Sequence, residues 1–197
     1  RTVQTEAEVL KVFSETGILN MLNTKYIIYN PNAPPLTNTH ALGNAWFVEN
    51  ALIAENANRE LAMLNNINTA KEAVIDKVFK DQVTSQTYTV AEGDKIELKS
   101  YKPNELVYKY TADGQRLAVF SEIYYPAGWK CFLDGNESRH FRANYVLRAM
   151  VVPAGDHEIR FVFEPASYST GNKVSLASSI LLILLVLGYL GMKFLKK

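Results

Sequence analysis

The residue types that most often carry out catalysis are few in this chain and lie far apart. Its histidines are His40, His140 and His157, and their separations do not match those of metal ligands. The sequence contains neither a glycine-rich phosphate loop nor a nucleophile elbow. Cys131, the single cysteine, lies in a predicted strand and is interpreted as a free buried thiol. We therefore assign no catalytic, metal-binding or cofactor-binding residue.

Asp134 is the acidic residue whose setting most invites a catalytic role. It precedes Gly135, however, and an Asp-Gly pair suits the two positive-φ positions of a tight hairpin turn. We therefore interpret Asp134 as a turn residue, and we interpret Asp113, which precedes Gly114, in the same way.

A group of aromatic residues offers a different chemistry, the stacking of rings on the C–H faces of sugars. Tyr124, Tyr125 and Trp129 flank a break between two predicted strands, and they are the candidate glycan contacts. The alternative is that these rings fill the core between two sheets. Because neighbours at such a junction cannot all point inward, both interpretations stay open.

The composition argues against nucleic acid as a partner. The 197 residues include 21 Lys and Arg and 20 Asp and Glu, which gives a formal net charge of +1. A nearly neutral chain offers no basic surface for a phosphate backbone. A single cysteine cannot form an internal disulfide, so we expect the fold to depend on packing.

Residues 174–192 form an uncharged apolar stretch that predicts a transmembrane helix. A helix of that length covers about 28 Å, close to the hydrocarbon thickness of a bilayer. The alternative is a buried hairpin helix of a soluble protein, but such a helix would carry a polar stripe. Lys193, Lys196 and Lys197 follow the stretch and Lys173 precedes it, which favours a cytoplasmic tail and an extracytoplasmic domain.

The remaining residues divide into two regions that together predict an α+β fold. Residues 1–85 mix helix and strand signals and predict a small α/β subdomain, with a helix at residues 69–74 among its elements. Residues 86–166 predict an antiparallel β-sandwich of about seven strands, one of them at residues 138–142. Residues 167–197 then form a linker and the transmembrane helix.

Several phrases occur in an order that resembles a known family. They are LNMLNTKYII at residues 19–28, GNAWFV at 43–48, FSEIYYPAGWK at 120–130, the pair Asp134-Gly135, and VPAGDH at 152–157. This ordered series resembles the C-terminal extracytoplasmic region of the YfhO-like bacterial membrane proteins of the Bacteroidetes type. The resemblance covers most of the chain and includes the same terminal membrane helix.

The resemblance implies a polytopic inner-membrane protein of the lipid-linked-sugar glycosyltransferase type. Such proteins are expected to move a sugar from a polyprenyl-phosphate carrier to a cell-envelope acceptor. Their acidic catalytic residue is expected in an early external loop, so none is carried over to this chain. The chain begins with Arg1 and shows no signal peptide, which leads us to expect the C-terminal part of a longer protein.

In that setting three roles remain open for the chain. It can be an extracytoplasmic accessory domain of the transferase, a non-enzymatic module that binds glycan, or a scaffold. The partners expected from the resemblance are the lipid bilayer, the upstream membrane helices of the parent protein, and cell-envelope glycan or lipid-linked sugar.

Overall fold

The structure, a computed structural model, describes residues 5–195, with the backbone only at residues 6, 13, 169 and 193–195. The α-helices in this range are α1 (Glu6–Glu15), α2 (Gly17–Met21), α3 (Ala57–Met63) and α4 (Ala166–Leu195), and a 3-10 helix covers Lys77–Gln82. The strands are β1 (Tyr26–Ile27), β2 (Leu36–Thr37), β3 (Ala45–Val48), β4 (Asn50–Ala54), β5 (Glu72–Asp76), β6 (Lys95–Lys102), β7 (Glu105–Ala112), β8 (Arg116–Ile123), β9 (Trp129–Leu133), β10 (Asn136–Ser138), β11 (Phe141–Ala143), β12 (Leu147–Val152) and β13 (Gly155–Phe163).

Two antiparallel sheets form the sandwich that the sequence predicts. One sheet has the strand order β10-β9-β13-β7-β6, and the other has the order β11-β12-β8-β3. A core of buried side chains lies between them, in which Phe120 is 4.9 Å from Tyr108 and 5.0 Å from Phe161, measured between ring centroids. Both pairs meet edge to face, the arrangement that aromatic rings prefer.

The two sheets differ in how many of their faces are covered. In β7 of the five-stranded sheet, Leu106, Tyr108 and Tyr110 are buried while Lys109 between them is exposed, so one face meets solvent. In β8 of the four-stranded sheet, residues 116–120 are all buried. An antiparallel strand that is buried at successive positions must be covered on both faces.

The second cover of the four-stranded sheet comes from the first part of the chain. β4 and β5 pair in parallel, and Val74 and Ile75 of β5 are fully buried. They belong to one core with Leu117 and Val119 of β8, whose neighbours Ala118 and Phe120 face the other core. β4, β5, α3 and the 3-10 helix at Lys77–Gln82 therefore form a third layer, while β3 from the same part of the chain belongs to the four-stranded sheet and pairs directly with β8.

Three local predictions from the sequence are wrong for reasons of tertiary packing. Residues 69–74 do not form a helix, because the β-branched residues that follow position 73 pair with β4 as strand β5. Residues 138–142 are not one strand, because the chain crosses there from β10 in one sheet to β11 in the other. Asp113-Gly114 is not a hairpin turn, because β7 and β8 also lie in different sheets.

Asn144 joins the third layer to the sandwich with two backbone-directed hydrogen bonds. Its N–H donates to the Val74 carbonyl at 2.7 Å, and its side-chain oxygen accepts from the Val74 N–H at 2.8 Å. Asn144 is fully buried and has φ of 50°, in the left-handed region. Asparagine tolerates this region better than most residues, and its short amide can form the hydrogen bond that a backbone carbonyl would form. Asn144 therefore accommodates the left-handed turn and also pairs with the Val74 N–H.

A buried ion pair lies beside this contact. The Glu60 carboxylate of α3 accepts from Arg142 Nη2 at 2.9 Å and from the Tyr145 N–H at 2.7 Å, and Asp76 is 3.4 Å from the same Arg142 nitrogen. Burial raises the pKa of Glu60, although the Tyr145 N–H and Arg142 act in the opposite direction. The three bonds fix α3 and β5 against the turn between β11 and β12.

The helices at the two ends of the chain match their sequence signals. At α1, the Glu8 N–H donates to the Thr5 hydroxyl at 3.3 Å and the Thr5 N–H donates to the Glu8 carboxylate at 3.1 Å. This pair is a capping box, which a Thr followed three residues later by a Glu is typical of. At the other end, α4 is long and apolar enough to cross a membrane, and none of its apolar segment is buried against the rest of the protein.

We expect Asn144→Ala to lower the free energy of unfolding by about 2–4 kcal/mol, because it leaves the buried Val74 N–H unpaired and places a Cβ in the left-handed region. Asn144→Gly should cost less than Asn144→Ala, since glycine keeps the backbone freedom and loses only the amide. Denaturant unfolding of the full chain in detergent, followed by the fluorescence of Trp46 and Trp129, measures both changes.

The exposed Asn136 provides the control, and Asn136→Ala should change the unfolding free energy by less than about 0.5 kcal/mol. If Asn144→Ala behaves like this control, the contact between Asn144 and Val74 does not hold the third layer in place.

Candidate functional site

Trp129, one of the predicted glycan contacts, is half-buried at the start of β9. The Arg148 guanidinium lies 4.1 Å from the centroid of its ring, close enough for a cation–π interaction. Phe163, its register partner on β13, lies 5.3 Å away between ring centroids. The tryptophan ring therefore packs against two side chains of the sandwich itself.

Tyr124 and Tyr125 diverge from each other. Tyr125 is 52% exposed, and its ring lies 6.4 Å from that of Phe163. Tyr124 is half-buried and packs against Phe79 at 5.7 Å and against His140 at 5.5 Å between centroids. The structure thus brings Tyr125 and Trp129 together around one phenylalanine, while Tyr124 contacts the third layer instead.

Gly128 completes the surroundings of Phe163. A Cβ at this position would lie 2.7 Å from an atom of the Phe163 ring, so only glycine allows the loop to approach so closely. The Gly128 carbonyl also accepts from the Glu164 N–H at 2.8 Å. The loop that follows β8 is therefore fixed to the end of β13, at the point where the chain leaves the sandwich.

Arg148 was missed by the sequence reasoning, and its signal is an arginine within the otherwise apolar run of β12. Its side chain is 2% exposed, and its Nε donates to the Ile123 carbonyl at 3.0 Å. Burial lowers the pKa of Arg148 and raises that of the nearby Glu122 carboxyl. Arg148 interacts electrostatically with Tyr108 and His140 in the interior of the sandwich. Each of these three residues has a buried polar atom without a hydrogen-bond partner, namely Arg148 Nη1, the Tyr108 hydroxyl and His140 Nε2.

Cys131 is buried in the same interior, which agrees with the predicted free thiol. Its Sγ is 3.7 Å from Met150 Sδ, and burial raises the pKa of the thiol to about 12. A thiol that stays protonated is a poor nucleophile. Burial likewise lowers the pKa of His140 to about 4, with Arg148 acting in the same direction, so this imidazole is neutral at pH 7.

Among the described residues, Asp134 and His157 form the one contact that resembles a catalytic pair, and this contact joins the hairpin turn after β9 to the start of β13. Asp134 has φ of 48° and Gly135 has φ of 82°, as the predicted hairpin turn requires. His157 Nδ1 lies 2.5 Å from an Asp134 carboxylate oxygen, and Nε2 lies 2.9 Å from the Ala154 carbonyl. Because both ring nitrogens are engaged, the imidazole is not free to accept a proton from a substrate.

Other ionisable groups also have structural partners. The Asp94 side chain is buried beside Arg116, and the Arg116 Nε donates to one Asp94 carboxylate oxygen at 2.5 Å. The other Asp94 carboxylate oxygen accepts from the Asp113 N–H at 2.9 Å. Burial would raise the pKa of Asp94, but Arg116 and the backbone donors lower it. Across residues 5–195, no three His, Cys, Asp or Glu side chains converge as metal ligands would.

The pKa of His157 is raised by the Ala154 carbonyl and by Asp134, so its stabilising effect is complete below its unfolded pKa of about 6.5 and is lost as the pH rises through the folded value. The Asp134 pKa is lowered by the Glu158 N–H and by His157, so its own effect is lost on strong acidification. The cost of His157→Asn should therefore be largest near about pH 5–6 and should shrink at alkaline pH.

We expect this cost to stay below about 1 kcal/mol, because both side chains are partly exposed. Denaturant unfolding at several pH values measures it. Repeating the comparison in an Asp134→Asn background is the control, where the pH dependence should shrink. A cost that does not change with pH would contradict a charged His157 in this turn.

Trp129→Ala should lower the unfolding free energy by about 2–4 kcal/mol, because the ring packs on Arg148 and Phe163. Tyr125→Ala removes a mostly exposed ring and should cost less than about 0.5 kcal/mol. Equal small effects of both changes would show that Trp129 does not support the sandwich, which would favour a role in binding a ligand.

Comparison with known proteins found no matching family model, no similar curated protein and no similar solved structure. The resemblance to the YfhO-like proteins therefore stays a prediction. What the geometry provides is a sandwich whose aromatic residues Tyr125, Trp129 and Phe163 meet at the end from which α4 departs.

Proposed function

We propose that this chain acts as an extracytoplasmic accessory domain, anchored by α4 in the bacterial inner membrane, of a protein that transfers lipid-linked sugars to the cell envelope. In this role the chain supplies no catalytic group. It holds a rigid sandwich at the membrane surface, where a polyprenyl-phosphate carrier would present its sugar, and it shapes the site for the acceptor.

The observation that carries this proposal is the short junction between the sandwich and α4. The Phe163 N–H donates to the Asn104 carbonyl at 2.9 Å, and the Glu164 N–H donates to the Gly128 carbonyl at 2.8 Å. Pro165 then separates this bonded end from Ala166, the first residue of α4. A membrane that contains α4 would therefore lie directly beside the sandwich, with no flexible linker between them.

The side chains of α4 support its placement across a bilayer. Tyr168 and Tyr189 lie 21 residues apart near the two ends of the helix, which corresponds to about 31 Å. This separation matches the distance between the two interfaces of a bilayer, where tyrosine is enriched. Lys173 lies between them, and its long stem allows the ammonium group to reach the headgroups. Lys196 and Lys197, on which the predicted orientation partly rests, lie outside the described residues.

The engagement of the ionisable groups supports an accessory role. Asp134 and His157 join a hairpin turn to the start of β13, Glu60 holds Arg142, and Cys131 is buried. The resemblance to the YfhO-like proteins is what assigns the chain to sugar transfer. A glycan-binding module is the second candidate, and the exposed ring of Tyr125 beside Phe163 is the observation that favours it.

The test is to replace residues 5–163 of the encoded protein by a glycine-serine linker while retaining α4. We expect the incorporation of labelled sugar into envelope glycan to be lost or redirected to another acceptor, because the acceptor site would lose one wall. An immunoblot of the membrane fraction shows whether the altered protein is still present. The exposed substitution Asn136→Ala is the matched control and should leave incorporation unchanged.

Unchanged sugar transfer by the altered protein would contradict the accessory role and favour a scaffold. The glycan-binding alternative is tested separately by calorimetric titration of the full chain in detergent with millimolar saccharide. Binding that Tyr125→Ala abolishes would favour that alternative, and the absence of binding would remove it.

A further inference from the structure

We propose that the end of the sandwich next to α4 is itself a membrane-binding surface, whose side chains enter the lipid headgroup layer. This surface, the aromatic rim, consists of Tyr101, Ile123, Tyr125 and Tyr145. The inference rests on the anchoring of α4 in a membrane, which is part of the function proposed above. It adds that the sandwich contacts lipid directly and does not merely hang near the bilayer.

The distribution of exposed apolar side chains carries the inference. Between residues 86 and 165, the large hydrophobic side chains that are exposed are those of the rim, with exposed fractions of 67% for Tyr101, 57% for Ile123, 52% for Tyr125 and 38% for Tyr145. Scattered exposed apolar residues need no explanation, but a collection of them at one place marks an interaction surface.

The strand register shows that these four residues share one end of the sandwich. Tyr101 pairs with Leu106 near the start of β7, and that start pairs with the last residues of β13, at Val162. Ile123 ends β8, which runs the same way as β13, and it pairs with Leu147 just after Tyr145. Tyr125 follows Ile123 by two residues and contacts Phe163 at the end of β13.

The occupant of this surface follows from the chain itself. α4 begins three residues after Phe163, and Tyr168 lies five residues after it. If Tyr168 lies at the bilayer interface, the end of β13 is only about 7 Å farther out along a helical rise, within the polar layer of the membrane. Tyrosine combines an apolar ring with a hydroxyl that hydrogen-bonds, and this combination suits the headgroup region.

The charges near the rim are mostly neutralised in pairs. Lys102 Nζ lies 3.0 Å from a Glu105 carboxylate oxygen, and Lys130 Nζ lies 3.0 Å from a Glu164 carboxylate oxygen. Paired charges offer little net attraction to anionic lipids. We therefore expect the rim to enter membranes of purely zwitterionic lipid as well as acidic ones.

The opposite end of the sandwich has a contrasting character. Its turns and strand ends carry the exposed aspartates Asp113 and Asp156, which the register of β7 and β13 places at the same end. Exposed carboxylates prefer water to the apolar part of a membrane. One end of the sandwich is thus suited to lipid and the other to the aqueous compartment.

The test uses the full chain in vesicles of phosphatidylcholine, with Cys131→Ala as the background and one nitroxide label at a time. The labelled variants are Tyr125→Cys and Ile123→Cys in the rim, Asp113→Cys at the opposite end as the matched control, and Leu184→Cys in the middle of α4. Collision of the label with oxygen and with a water-soluble nickel complex reports its depth.

We expect the label at position 184 to lie in the hydrocarbon and the label at position 113 to lie in water. The labels at positions 123 and 125 should collide with the nickel complex several-fold less often than the label at position 113, as in the headgroup layer. If both rim labels collide with the nickel complex as often as the label at position 113 while the label at position 184 lies in hydrocarbon, the proposed lipid contact of the rim is contradicted and the anchoring of α4 is supported. If the label at position 184 also lies in water, both the anchoring of α4 and the lipid contact of the rim are contradicted.

Discussion

The architecture depends on a four-stranded sheet that is buried on both faces. Neighbouring residues of β8 alternate between two cores, so Leu117 and Val119 need one cover while Ala118 and Phe120 need another. The five-stranded sheet covers one face, and β4, β5 and α3 cover the other. Because hydrophobic burial is the main stabilising contribution to folding, neither cover can be removed without exposing a continuous apolar surface. The contacts of Asn144 and Glu60 hold the second cover in register.

A second constraint acts at the end of β13. The hydrogen bonds of Phe163 and Glu164 fix the chain up to one residue before α4. The apolar segment of α4 is not buried against the rest of the described protein. A bilayer supplies the surroundings that such a helix requires. The aromatic residues around Phe163 then need no sugar to explain their position, since Trp129 packs on Arg148 and the Tyr125 ring lies beside Phe163, where the proposed membrane contact would place it among the headgroups. Trp129 contacts both Phe163, three residues before α4, and Arg148, and it therefore connects the start of the anchor to the interior of the sandwich.

Patterns confined to one element could be predicted from the sequence, while features that depend on pairing between elements could not. The capping box of α1, the hairpin turn at Asp134 and the buried thiol of Cys131 each follow from local residue types. The parallel pairing of β5 and the crossing between β10 and β11 depend on distant strands, and no local signal reveals them. The aromatic residues of the candidate site could be found from the sequence. That Tyr125 contacts Phe163 while Tyr124 contacts Phe79 could not, because these contacts depend on how the three layers pack.

Neutron reflectometry of the full chain in a supported bilayer tests the central claim most directly, since it measures where protein density lies relative to the lipid. A sandwich with strands of up to nine residues forms a layer about 30 Å thick along the strand direction. We predict protein density through the hydrocarbon and such a layer in continuous contact with the headgroups. A layer of water between the headgroups and the sandwich, or a hydrocarbon region without protein, would contradict this account.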